Sequence, residues 1–340
     1  MSNSFDVAVV GATGVVGEAL LEILSARNFP TGNVYALASD RSVGKTLKFG
    51  NRQLDVEDVA EFDFSKVQIG LFSAGAPVSA EFAPKAASAG CVVIDNTSRF
   101  RYDDDIPLVV PEVNAEAIAG YKNRGIIANP NCSTIQMVVA LKPIYDAVGI
   151  ERINVCTYQA VSGAGRSAVK ELARQTTALL NGRPLNIDGA AKQIAFNAVP
   201  HIDVFEDNRY TKEEMKIVWE TRKILGDEEI LINPTAVRIA AFFGHSEAIH
   251  IETRDKITAA AASELLAKAP GIEVIDGVEM GQYPTAVTDS SGADPVFVGR
   301  IREDISHPTG INLWVVADNI RKGAALNSVQ IAEILAKNYL

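Results

Sequence analysis

Cysteine is scarce in this chain: Cys91, Cys132 and Cys156 are the only three in 340 residues. An odd number, spaced unlike any metal-ligand set and spread over different segments, excludes a disulfide framework and a structural zinc site, and no metal is expected. No apolar run is long enough to span a bilayer, and Met1 to Asp6 lead straight into a strand pattern without a basic leader, so the expected compartment is a reducing cytoplasm with no membrane partner. Charge of one sign is never concentrated. The net charge is -10 with no long basic or acidic run, which leaves no electrostatic footprint for nucleic acid. Internal repeats and low-complexity linkers are absent too. What remains is 47% hydrophobic and 22% charged, an ordinary globular composition of a length that suggests about two domains. An acidic chain that handles an anionic substrate must gather a few cations at one place.

The stretch Ile126 to Thr134 reads as a short β-branched strand stopped by Asn129-Pro130-Asn131, with Cys132 next and Ser133 and Thr134 able to cap a helix that runs to Val148. A thiol at a helix N-terminus is biased toward the thiolate, the nucleophilic form. The plainer reading, a small buried hydrophobe, fits a site with so many hydrogen-bonding neighbours less well. Cys91, opening a strand, reads as core. Cys156 lies three residues from Gln159 in the strand Arg152–Val161, so the two point to opposite faces and Cys156 reads as structural.

The N-terminal half alternates strands and helices, which predicts a doubly wound parallel sheet. Val7–Val10 leads into Gly11-Ala12-Thr13-Gly14-Val15-Val16-Gly17 and a helical-period run, the order expected of a dinucleotide site: Gly11 for the turn, Gly14 for close approach of a pyrophosphate, Gly17 for packing. At the tip of the second strand Ser39, Arg41 and Ser42 suit a 2′-phosphate, and hence NADP; Asp40 is discordant and is expected to turn away, and a solvated turn explains the same side chains. Ser73 ends another strand at the ligand-bearing edge. Arg99 stands one strand further on as a possible anion site or a solvated loop arginine.

Beyond Cys132 the pattern shifts to longer β segments. Gln159 could bond a carbonyl near the thiol. Asn181 to Asn208 reads as loop with short elements, and Thr211 to Glu220 as a helix with a Thr211/Glu214 capping box, most of whose charges form a solvated face. Ile230 to Ile251 reads as strand, turn and strand; Arg238 there needs an anionic partner, and His245 after Gly244 is placed for proton transfer. His250 reads as structural.

Together these features resemble the aspartate-β-semialdehyde dehydrogenase family along nearly the whole chain. The resemblance rests on Gly11–Gly17, Asn129–Thr134, Gln159 with Ser162-Gly163, Arg238 seven residues before His245, and Asn319 to Ala324. It implies NADP-dependent, reversible conversion of L-aspartyl-4-phosphate to L-aspartate 4-semialdehyde through a Cys132 thioester, in lysine, threonine and methionine biosynthesis. By the same resemblance His245 is the acid–base group and Gln159 orients the acyl group. Arg238 would hold the α-carboxylate, Arg99 and Lys216 the phosphate, with Glu213 near the amine and Asn131 also at the substrate. Thr13, Gly14, Val15, Val16, Arg41, Ser42, Ser162, Gly163 and Asn319 would line the cofactor. The implied architecture is α/β: an N-terminal Rossmann domain, 1–131, completed by a helix in 319–340, and an α+β catalytic and dimerisation domain, 132–318, with a mixed, largely antiparallel sheet. One face of that sheet is expected to carry the homodimer. N-acetyl-γ-glutamyl-phosphate reductase shares this chemistry, but its Cys is typically followed by aromatic and Pro residues where this chain has Ser133-Thr134. A non-catalytic dinucleotide-binding paralogue would usually lack the nucleophile that is present here.

Overall fold

The computed structural model describes residues 4–185, 187 and 192–340; residues 186 and 188–191 of the expected loop, and the first three residues, lie outside them. The chain divides into one unit ending at Asn131 and resumed from Gly323 to Leu340, and a second unit from Cys132 to Lys322.

The first unit contains β1 (Phe5–Val10), α1 (Val15–Ala26), β2 (Thr31–Ala38), β3 (Thr46–Phe49), β4 (Arg52–Asp58), β5 (Ile69–Phe72), α2 (Ala76–Ser88), β6 (Val92–Asp95), the single turn α3 (Pro111–Asn114) and β7 (Ile126–Ala128). The second contains α4 (Cys132–Val148), β8 (Ile150–Gln159), α5 (Arg166–Leu180), β9 (Ala198–Val199), α6 (Lys212–Leu225), β10 (Leu231–Ile239), β11 (His245–Thr253), α7 (Ala259–Ala267), β12 (Ile272–Val274), β13 (Val296–Glu303) and β14 (Gly310–Ala317). A π-turn, Arg321–Ala325, then feeds α8 (Leu326–Asn338), which belongs to the first unit.

The first unit's sheet has the order β3-β4-β2-β1-β5-β6-β7, parallel throughout except for the β3–β4 pair at its edge. Its central strands are continuous apolar runs because both faces are covered. Leu20, Ile23 and Leu24 of α1 and Leu326, Val329 and Leu335 of α8 pack on one core with Val7, Val9 and Ile69. The β3–β4 hairpin has no counterpart in the strand pattern read from the sequence: its strands are short and mostly exposed, so little hydrophobic periodicity marks them.

The second sheet has the order β12-β13-β14-β11-β8-β10-β9, with β8–β10 and β12–β13 parallel and the remaining pairs antiparallel. The expected strand, turn and strand across Ile230–Ile251 is not a hairpin. β10 and β11 lie on opposite sides of β8, parallel and antiparallel to it respectively. That inserts β8 between Arg238 and His245 and brings three strand ends to one place. Residues alternate: Thr157, Gln159, His245 and Glu247 are buried on one face, which α4 packs against, while Cys156, Tyr158, Ala248, His250 and Trp314 are only half-buried on the other.

Candidate active site

Cys132 is the first residue of α4 and is half-buried. Helix geometry leaves the N–H groups of that first turn unsatisfied by the helix itself, which favours negative charge on the sulfur. Ser133 and Thr134, expected as caps, instead follow the helix start and lie buried within its first turn. The contrast with Cys91 is plain: burial without compensating groups pushes that thiol up to about 12, so it is inert.

His245 opens β11 and is fully buried. Its Nδ1 accepts a hydrogen bond from the Ala160 amide at 3.1 Å, so the neutral ring carries its proton on Nε2, the atom 3.5 Å from Gln159 Nε2. Burial, reinforced by the positive charge of Arg238, lowers His245 to about 3, with Glu213 and the Gly244 carbonyl acting in the opposite sense. The imidazole is therefore neutral at physiological pH.

Gln159, at the end of β8, is held at both ends of its amide. Thr157 Oγ1 donates to Oε1 at 3.2 Å, and Nε2 donates to Glu213 Oε1 at 3.0 Å. Glu213 also accepts from Lys216 Nζ at 2.9 Å, and Lys216 donates to Asp203 Oδ2 at 2.7 Å. Burial alone disfavours the ammonium, but the two carboxylates outweigh it and raise the Lys216 pKa. Asp203 was not legible in the sequence as part of this cluster, because it sits in a loop with a positive φ of 70° and no motif around it.

These contacts correct the solvated helix face expected of α6. From Lys212 to Lys223 none of its charged residues is exposed, and Glu213 and Glu220 are buried, whereas Trp219 is exposed. The capping box is present as expected, Glu214 Oε2 accepting from the Thr211 amide at 2.7 Å, and Glu214 Oε1 also accepts from Ala236 N, tying the helix to β10. Inward charge is tolerable here because partners on other elements neutralise it.

Arg238 lies near the end of β10. Its direct partner is not a carboxylate but the Ala160 carbonyl, to which Nη1 donates at 2.7 Å. Burial lowers its pKa, while Glu213 and Cys132 favour its charge. Asn319 accepts from the Gly244 amide at 2.9 Å through Oδ1 and donates to Ser162 Oγ at 2.9 Å through Nδ2, so it clamps the loop that precedes His245. Gly163 is crowded by the same groups: a Cβ there would sit 3.5 Å from both Arg238 Nη1 and His245 Nε2.

In the first unit, Gly11 has φ 85° and a Cβ on it would approach the Ala74 amide to 2.8 Å, while one on Gly17 would lie 2.2 Å from the Gly11 carbonyl. Gly14 precedes α1 with no side-chain cap, so the helix presents its amides bare, as a pyrophosphate requires. Ser39 and Arg41 are exposed and Ser42 is half-buried in the turn after β2; Asp40 folds back so that Oδ1 accepts from the Arg41 amide at 2.7 Å. Ser73 directly follows β5, its hydroxyl donating to the Val10 carbonyl at 3.2 Å. Arg99 is exposed, lies over the Phe100 ring and is 3.7 Å from Asp103. Thr13, Val15 and Val16 are half-buried in the glycine turn, and Asn131 is buried just before Cys132.

Comparison with known proteins settles the family. Residues 6–121 match the family model described as semialdehyde dehydrogenase, NAD binding domain, and residues 141–322 match semialdehyde dehydrogenase, dimerisation domain. The aspartate-semialdehyde dehydrogenase of Legionella pneumophila is 64% identical over 340 residues, covering 100% of this chain and 98% of that protein. This chain belongs to the aspartate-semialdehyde dehydrogenase family. The crystal structure of aspartate semialdehyde dehydrogenase II complexed with ASA from Vibrio cholerae superposes with a TM-score of 0.98 at 60% identity over 100% of both chains. A more distant member of the family, the Candida albicans enzyme solved with NADP, gives 0.79 at 27% identity over 99% of this chain and 100% of that one. This chain thus carries a nicotinamide-dinucleotide-binding domain and the family's dimerisation domain. Among the described residues no helix is long and apolar enough to cross a membrane.

Proposed function

We propose that this chain catalyses the reversible, NADP-dependent reductive dephosphorylation of L-aspartyl-4-phosphate to L-aspartate 4-semialdehyde, for lysine, threonine and methionine biosynthesis, as a cytoplasmic homodimer. The observation that carries the reading is the single cluster in the second unit: a helix-start thiol at Cys132, a buried neutral imidazole at His245, and an amide, a carboxylate and a guanidinium held around them. Each group has a task in acyl transfer through sulfur.

In the oxidative direction Cys132 Sγ adds to the aldehyde carbon. The Nε2–H of His245 then bonds the oxygen that becomes negative, the role a buried neutral imidazole fills best. Gln159, its amide already oriented by Thr157 and Glu213, holds the acyl group. Arg238 receives the α-carboxylate, and Glu213 faces the amine. The arriving carboxylate cancels part of the Arg238 field that suppresses protonation of His245, so substrate binding raises the histidine pKa and equips it as the acid–base group. NADP would supply the hydride acceptor; Gly11, Thr13 to Gly17, Ser39, Arg41, Ser42 and Ser73 would hold it in the first unit, and Ser162, Gly163 and Asn319 are the cofactor-binding candidates of the second. Arg99 and Lys216 take the phosphate that releases the acyl group, and Lys216 must loosen from Asp203 to do so. Asn131 supports the substrate beside the thiol. The half-buried outer face of the second sheet serves as the dimer surface.

The test is phosphate-dependent reduction of NADP by the purified protein with L-aspartate 4-semialdehyde, beside N-acetyl-glutamate 5-semialdehyde and with NAD in place of NADP. Turnover of the first substrate with NADP is expected, and should fall by about 10⁴-fold or more in Cys132→Ala. Turnover of the acetylated substrate alone would move the chain to the reductase family, and turnover of neither would make it a non-catalytic paralogue.

A further inference from the structure

Two residues beyond His245, β11 carries a second fully buried titratable side chain, Glu247. A strand's period of two puts both on the same sheet face, the one that α4 packs against. Glu247 stands opposite Thr157 of β8 and Val315 of β14. Across from it is Gln136, four residues, or about one helical turn, after Cys132 on α4. The four polar side-chain atoms of Gln136 and Glu247 are shut off from solvent and have no well-formed hydrogen bond to any other group, so the side chain each can interact with is the other's.

Such an arrangement is costly, and an apolar pair of similar shape would hold α4 on the sheet more stably. A polar pair kept at that cost directly beneath the reaction centre points to function. Burial raises the Glu247 carboxyl well above its ordinary range, against a hydrogen bond from the Gln136 amide, and so favours the protonated acid over the carboxylate. The groups that face it are Gln136 from α4, Thr157 from β8 and Val315 from β14; the nearest titratable groups along its own face and along α4 are His245 and Cys132. A neutral carboxylic acid and a primary amide can exchange two hydrogen bonds, O–H to Oε1 and N–H to the carboxyl oxygen, whereas a carboxylate only accepts.

We propose that Glu247 is a positioning residue for the reaction: its carboxylic acid pairs reciprocally with Gln136, and the pair sets α4, and with it Cys132 Sγ, at the working distance from His245. This rests on the reading of Cys132 as the nucleophile. It adds a residue that touches neither substrate nor cofactor.

The experiment uses the full chain and compares Glu247→Gln, Glu247→Leu, the apolar double variant Gln136→Leu/Glu247→Leu and the exchange Gln136→Glu/Glu247→Gln. Thermal unfolding, kcat and KM are measured, together with the pH dependence of iodoacetamide alkylation followed by mass at Cys132. Glu247→Gln and the exchange variant retain a two-bond pair and should keep kcat within about 3-fold, whereas Glu247→Leu should lose about 10- to 100-fold in kcat with KM little changed. The double apolar variant should regain thermal stability but neither kcat nor the alkylation midpoint of the unaltered protein. Recovery of kcat and of the alkylation profile in the double variant would reduce the pair to core filling and overturn the proposal. So would a folded exchange variant that has lost activity, and this arm decides the matter if Glu247→Leu does not fold. The alkylation profile needs no turnover, so it reports on the pair even if neither semialdehyde proves to be the substrate.

Discussion

Gln159 Nε2 donates to Glu213 Oε1 at 3.0 Å, a hydrogen bond between residues 54 apart that ties the end of β8 to the first turn of α6. It fixes which way the amide faces, because Thr157 already occupies Oε1. Glu213 accepts from Lys216 through its other oxygen. One carboxylate thus sets the orientation of the amide and holds the lysine.

Glu213→Gln should therefore injure more than one function. The neutral amide can still accept from Gln159, but it releases Lys216 and removes the negative charge that offsets Arg238. We expect kcat to fall about 10- to 100-fold and KM for phosphate to change as well. Steady-state kinetics with varied phosphate checks this; an effect confined to KM for the semialdehyde would refute the dual role.

For Arg238 the expected signature is in binding. Replacement by Lys keeps the charge but loses the planar fork that a carboxylate engages at two points, so KM for the semialdehyde should rise about 10- to 100-fold with kcat less affected. The same variant also loses the bond to the Ala160 carbonyl, so its stability should be measured alongside.

His245 predicts a definite pH behaviour. In the folded protein burial and Arg238 lower it from 6.5 to about 3. Between those values the unfolded chain holds the proton and the folded protein does not, so stability falls as pH drops from 6.5 toward 3, by up to a few kcal/mol. His245→Asn should flatten that part of the unfolding curve. The ring resonance of His245 should show no titration between pH 5 and 8 in the free protein, and its midpoint should rise when L-aspartate saturates the site.

Gly17 is the position in the glycine turn where a side chain is least tolerable. A methyl group 2.2 Å from the Gly11 carbonyl cannot be accommodated without moving the turn. Gly17→Ala should lower stability by about 1–3 kcal/mol and weaken dinucleotide binding. At Gly14 the nearest atom to an added Cβ is 3.2 Å away, so Gly14→Ala should cost less stability, and calorimetry on the pair separates packing from binding.

Much of the first unit was legible because its rules are local. Strand, glycine turn and helix follow one another within Phe5–Ala26, and buried parallel strands announce themselves as apolar runs. The β3–β4 hairpin was not, since short exposed strands leave no periodic mark. At the site, Gln159, Arg238 and His245 stood out as polar residues in apolar strand segments, and Cys132 as a thiol among hydrogen-bonding neighbours at a helix start. Asp203 did not, and Glu213 and Lys216 entered only through the family resemblance, because an Asp in a loop and a Glu-Glu-x-Lys helix read as solvated surface wherever their partners are unknown.

The sequence by itself determined the buried strands and the helices, the glycine turn, the placement of a thiol at the start of a helix and the family. Those depend on neighbours a few residues apart, which set backbone conformation and periodic burial. Only the tertiary structure decided that β8 lies between β10 and β11, that Arg238 bonds a backbone carbonyl, that His245 is neutral, and that Gln136 and Glu247 meet beneath it. Protonation state and hydrogen-bond choice follow from desolvation and from groups distant in sequence, and these exist only once the sheet has assembled.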